Sequence, residues 1–110
     1  MSSLRQVMLC TWKPDTTQEQ IQLVGERLTQ MPQLIPETQN IEFGPDAGID
    51  AQPQWSTQAP PPNYDFAIVQ DFADQQSYLA YRDHPAHQAI AEECFLPILA
   101  QAATIQFQLE

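Results

Sequence analysis

Leu4-Arg5-Gln6-Val7-Met8-Leu9-Cys10-Thr11-Trp12 decides how the rest of the chain has to be arranged. Alternation divides it into two sets of side chains: Gln6, Met8, Cys10 and Trp12 on one face, Arg5, Val7, Leu9 and Thr11 on the other. Val7 and Leu9 make the second face apolar. Met8, Cys10 and Trp12 make the first nearly so, with Gln6 as its one inward polar group. A strand apolar on both sides belongs in the middle of a sheet that is covered on each face.

Working outward, Lys13-Pro14-Asp15 breaks the strand, and Thr16 and Glu19 stand at capping-box spacing at the start of a helix. Ile21, Val24, Leu28 and Met31 recur at helical steps and form a buried stripe. Gly25 costs a helix interior about 1 kcal/mol against alanine, so something packs close to it. Pro32 and Pro36 are expected to end this helix. Thr38 to Gly44 reads as a second strand, with Ile41 and Phe43 on one face. Tyr64 to Phe72 is the clearest strand: Tyr64, Phe66, Ile68 and Phe72 alternate with Asp65, Ala67, Val69 and Asp71. Asp74 caps a helix carrying Tyr78, Leu79 and Tyr81. A further helix, capped by Asp83 or His84 with Pro85 as its first residue, runs through Ile90, Cys94 and Phe95. Thr104 to Leu109 closes the chain as a strand.

The order strand, helix, strand, strand, helix, strand predicts a single α+β domain over residues 1–110 of the ferredoxin-like βαββαβ kind. Its sheet is four-stranded and antiparallel, with the helices on one face. The face of the first strand that carries Met8, Cys10 and Trp12 is then left wet, and a second copy of the sheet is the economical cover. A homodimer follows from two-faced apolarity alone. Residues 45–62, with five of the ten prolines, Gly48 and Trp55, read as an insertion loop or a lid.

Fourteen acidic residues against four basic ones give a net charge of −10, which argues against nucleic-acid or anionic-membrane partners. No apolar run approaches the ~20 residues of a membrane span. Met1-Ser2-Ser3-Leu4-Arg5 does not read as a secretory leader, and Cys10 and Cys94 read as reduced, structural thiols. A cytoplasmic protein is expected.

The groups able to exchange protons near neutral pH lie together in Ala80-Tyr81-Arg82-Asp83-His84-Pro85-Ala86-His87-Gln88-Ala89-Ile90, which holds both histidines. His87 falls in the first turn of the last helix, and Tyr81 closes the segment before it. The imidazole is read as a general base or acid, as a ligand contact, or as a cap on backbone groups at the helix junction. For Tyr81, a core tyrosine whose hydroxyl is satisfied by His87 or backbone is the alternative to a catalytic partner. No third metal ligand shares the helical face of His87, whose i+4 neighbour is Ala91. Neither a metal nor a cofactor is expected.

The segments Val7-Met8-Leu9 to Trp12-Lys13-Pro14, Leu34-Ile35-Pro36, Ile41-Glu42-Phe43-Gly44, Tyr64 to Val69 and above all Tyr81-Arg82-Asp83-His84-Pro85-Ala86-His87 resemble the Dabb domain, the stress-responsive A/B barrel family. The resemblance implies a homodimer whose two sheets close into an α/β barrel, with a cavity between sheet and helices in each subunit. In a plant polyketide cyclase of that family the second histidine of the motif acts as base beside the tyrosine six residues earlier, positions held here by His87 and Tyr81. Three other polar positions of that pocket correspond to Gln6, Leu28 and Phe66, which implies a more apolar cavity for a small apolar or aromatic ligand. Three functions stand side by side: a ligand-binding dimer, a cyclase- or isomerase-like enzyme using His87 with Tyr81, and an oligomerisation module with a filled core.

Overall fold

The computed structural model describes residues 3–49 and 63–109. Its elements follow as β1 (Leu4–Trp12), α1 (Gln18–Leu34), β2 (Asn40–Pro45), β3 (Phe66–Phe72), α2 (Gln75–Arg82), α3 (Pro85–Ile90), a π-helical turn (Ala91–Phe95) and β4 (Leu99–Gln108). The strands form one antiparallel sheet in the order β2-β3-β1-β4. This is the ferredoxin-like arrangement, with β1 inside the sheet.

The helices cover one face, and β1 meets them with the opposite side from the one expected. Leu4, Gln6, Cys10 and Trp12 are buried beneath the helices together with Val24, Leu28 and Met31 of α1. The uncovered face carries Val7 and Leu9. Val7 pairs with Val69 and with Ile105, Leu9 pairs with Ala67 and with Ala103, and Arg5 pairs with Asp71 and with Phe107. Ile105 and Phe107 are 59% and 42% exposed there. At the edge of the patch the Arg5 guanidinium holds Asp71 by two hydrogen bonds, 2.7 and 3.0 Å. That pairing keeps the Asp71 carboxyl below its usual range.

Two boundaries of α1 differ from the sequence expectation, each for a local reason. The cap is Thr17: its hydroxyl accepts from the Gln20 N–H, and the Gln20 side chain accepts from the Thr17 N–H at 2.9 Å. The Thr16 N–H instead donates to the Lys13 carbonyl and closes the preceding turn. Pro32 sits inside the helix, which continues to Leu34 because proline removes one N–H while its φ still fits. The end comes at Ile35, which is extended (φ −131°) as a residue preceding proline prefers.

Gly25 meets the ring of Phe43, whose Cε1 would stand 3.3 Å from an added Cβ. Phe43 is partly exposed and has room to shift. Gly25→Ala is therefore expected to move stability by less than about 1 kcal/mol, since the gain in helix propensity offsets the shift. Gly25→Leu drives a branched chain into the ring and should cost about 1–3 kcal/mol in urea unfolding.

The proline-rich segment starts inside β2, where Pro45 pairs with Phe66. Its base is closed by the Asn63 side-chain amide, which donates to the Asp46 carboxylate and the Ile49 carbonyl at 3.1 Å each. Trp55 and Pro60-Pro61-Pro62, read as lid or insertion, lie outside the described residues.

Candidate functional site

The junction between α2 and α3 sets the site. Asp74 caps α2 through the Ser77 N–H at 2.8 Å. The His84 ring caps α3, its Nδ1 accepting the Ala86 N–H at 3.0 Å, with Pro85 as the first helical residue. That geometry brings His87 back over the end of α2. Its Nδ1 lies 3.0 Å from the Arg82 carbonyl oxygen. A carbonyl only accepts, so Nδ1 carries the proton and Nε2 carries the lone pair. Burial lowers the His87 pKa, outweighing the Arg82 carbonyl and Asp83, which both favour the charged ring. The imidazole is neutral at pH 7.

The Tyr81 ring stacks obliquely on His87, with centroids 4.5 Å apart. Its hydroxyl, however, is not satisfied by His87 or by backbone. It donates to Gln70 Oε1 at 3.2 Å, and burial pushes the phenol up to about 12. Gln70 Oε1 also accepts from Gln6 Nε2 at 3.2 Å, and Gln6 Oε1 accepts from Gln106 Nε2 at 2.8 Å. Gln106, Gln6 and Gln70 stand in register on β4, β1 and β3, one carboxamide row across the sheet. The row has a direction, and at its inner end the Gln70 Nε2 is buried with no partner among the described residues. An unmade hydrogen bond of that kind costs about 1–3 kcal/mol.

Between this row and the helices lies a cavity of about 280 Å³. Met8, Leu28, Met31, Ile68, Ile90 and Phe95 supply most of its walls, and Gln6, Gln70, Tyr81 and His87 supply its polar groups. Exposed Arg82, Leu96 and Thr104 mark its mouth. A cavity of about 150 Å³ holds a benzene ring, so this one has room for a substituted aromatic. The π-helical turn contributes to the opening: its i→i+5 bond, Leu96 N–H to Ala91 O at 2.9 Å, widens the helix where Phe95 and Leu96 border the cavity. Among the described residues no group of three metal-ligating side chains converges.

Of the residues singled out in the sequence, Gln6, Leu28, Tyr81 and His87 meet at this cavity. Phe66 does not. It packs on Trp12 and Phe43, centroids 5.5 and 6.1 Å away, at the far end of β3. Its place in the wall is taken by Ile68 and Gln70, two and four residues further along the same strand face. Gln70 was missed by the sequence reading. Its signal was available: a polar residue in the buried phase of β3, matching Gln6 on β1.

Residues 4–109 match the family described as Stress responsive A/B Barrel Domain, or Dabb. The chain belongs to the Dabb family. The Dabb domain is also similar to solved structures along nearly its whole length. A dimeric ferredoxin-like protein of unknown function from Thermobifida fusca is 34% identical, with 98% of this chain and 92% of that one covered and a TM-score of 0.81. A hydroxynitrile lyase from Passiflora edulis is 17% identical, with 98% and 94% covered and a TM-score of 0.80. A Dabb family protein from Mesorhizobium loti is 20% identical, with 97% and 96% covered and a TM-score of 0.73. At 17% and 20% identity the likeness is one of fold. Among curated protein sequences none matches the chain.

Proposed function

We propose that this Dabb domain works as a homodimer, its two sheets packed face to face into an α/β barrel, and that each subunit binds a small, mostly apolar or aromatic molecule in the cavity beneath α2 and α3. The observation that carries the reading is the cavity: about 280 Å³ walled mostly by apolar side chains, with a few polar groups gathered on it. The similar protein from Thermobifida fusca is described as dimeric, and the apolar open face of the sheet supports the same assembly here. Titrating purified protein with ethylbenzene by calorimetry is expected to give saturable binding. Leu28→Phe, which pushes a ring into the cavity, should weaken it tenfold or more. No saturable binding by the wild type would leave the oligomerisation module with a filled core as the better account.

A catalytic reading is favoured by one feature, the Nε2 of a neutral His87 in the cavity wall, which has no hydrogen-bond partner among the described residues. Placed beside a ligand carbonyl, Nε2 takes a proton from the adjacent carbon. The electron pair of the broken C–H bond moves onto the carbonyl oxygen as an enolate, and the imidazolium later returns a proton. Tyr81 serves this step as the ring packed against His87 and as the group that fixes Gln70.

A further inference from the structure

We infer that Gln70 is the specificity-determining residue of the cavity, and that the ligand it selects is an uncharged molecule carrying a carbonyl or similar acceptor oxygen. The inference rests on the reading of the cavity as a ligand site and names what enters it.

Gln70 is 3% exposed and stands in the cavity wall. Its oxygen already accepts two hydrogen bonds, one from Gln6 Nε2 and one from the Tyr81 hydroxyl. Both donors act on the same atom, so the amide is held with its oxygen towards them and its NH2 left over. That NH2 has no partner among the described residues. A carboxamide fixed in this way offers donors alone. That NH2 is screened from solvent, so a ligand meets it only as the neighbouring side chains give way. An apolar ligand then leaves it unsatisfied, while a carbonyl oxygen completes it. The row behind it runs the same way: Gln106 donates to Gln6, which in turn donates to Gln70.

The charge of the ligand follows from the other groups at the cavity. Arg82, at the mouth, is the one lining residue with a fixed positive charge, and Asp83 holds it by two hydrogen bonds of 2.9 and 3.1 Å. His87 is neutral, and the chain as a whole carries −10. Among the described residues at the cavity, a carboxylate or phosphate would find no free cation. A ketone, aldehyde, ester or amide needs none.

Two probes of the same shape separate the possibilities: ethylbenzene, which has no acceptor, and acetophenone, which has one. Wild type is expected to bind acetophenone about 5- to 100-fold more tightly, and benzoate more weakly than acetophenone. In Gln70→Leu that preference should collapse to about twofold while ethylbenzene binding persists. Equal affinities for the two probes in wild type overturn the assignment and leave the cavity reading standing. Failure of both probes to bind overturns the cavity reading and the assignment with it. A measurement on unaltered protein covers the case in which the variant fails to fold. The Gln70 side-chain NH2 resonances should move on adding acetophenone and stay in place with ethylbenzene, and no movement with bound acetophenone overturns the assignment.

Discussion

Val7→Asp is expected to turn the proposed dimer, a particle of twice the 12.5 kDa chain mass, into one of a single chain, as read by light scattering at micromolar concentration. The expectation follows from the row Ile105, Val7, Val69 across the open face of the sheet. An antiparallel sheet that faces water shows polar residues on that side. This one shows Val7, Leu9, Val69, Ile105 and Phe107, with the Arg5–Asp71 pair at its margin. In a symmetric dimer the same patch meets itself, so one substitution places two like charges in a desolvated interface. Each buried, unpaired charge costs several kcal/mol. Gln22→Glu, on an exposed position of α1, should leave the mass unchanged. A Val7→Asp protein that stays dimeric would put the interface elsewhere.

The same strand shows how far the sequence could be read. Alternation divided Leu4–Trp12 into two apolar sets, and both being apolar correctly placed β1 inside the sheet. It did not say which set meets the helices, because a period of two carries no label for inside and outside. The sequence reading left the Met8, Cys10 and Trp12 face open, and the structure buries Cys10 completely. A charge at Cys10 is thus expected to unfold the domain instead of splitting a dimer. The element order was legible because capping residues, Pro85 and strand alternation all act locally. The π-helical turn was not, since Ile90, Cys94 and Phe95 fit an α-helix as well as a wider one. At the site, His87 and Tyr81 stood out by residue type. Their hydrogen-bond partners did not, because Gln70 and the Arg82 carbonyl come together only through the sheet register and the α2–α3 turn.

His87→Ala is expected to abolish any deuterium exchange into the methyl group of acetophenone that the wild type catalyses in heavy water, while His87→Asn separates the two roles of the ring. The imidazole uses its nitrogens differently: Nδ1–H holds the Arg82 carbonyl, and Nε2 keeps the lone pair. Asparagine places an N–H where Nδ1 stands and nothing where Nε2 stands. His87→Asn should therefore recover most of the stability lost in His87→Ala and none of the exchange. The alanine loss is modest because the Arg82 carbonyl can turn to water. About 0.5–1.5 kcal/mol, at roughly 4–8 °C per kcal/mol for a domain of this size, lowers the melting temperature by several degrees. The pH dependence carries a sign of its own. Burial lowers the folded pKa of His87 below its ordinary 6.5, so the unfolded chain takes up this proton first as pH falls. The unfolded state then binds more protons than the folded one, and stability falls with falling pH through 6.5 and down towards the folded value. Above 6.5 the two states bind alike and the contribution is flat. The difference in stability between wild type and His87→Asn should accordingly shrink on acidification from pH 7.5 to 5.5. The exchange rate should hold through pH 6.5 and fall only below it, once Nε2 is protonated. A rate midpoint at or above 6.5 would mean that the ring meeting substrate is an exposed one, and His87 would lose its place as the base.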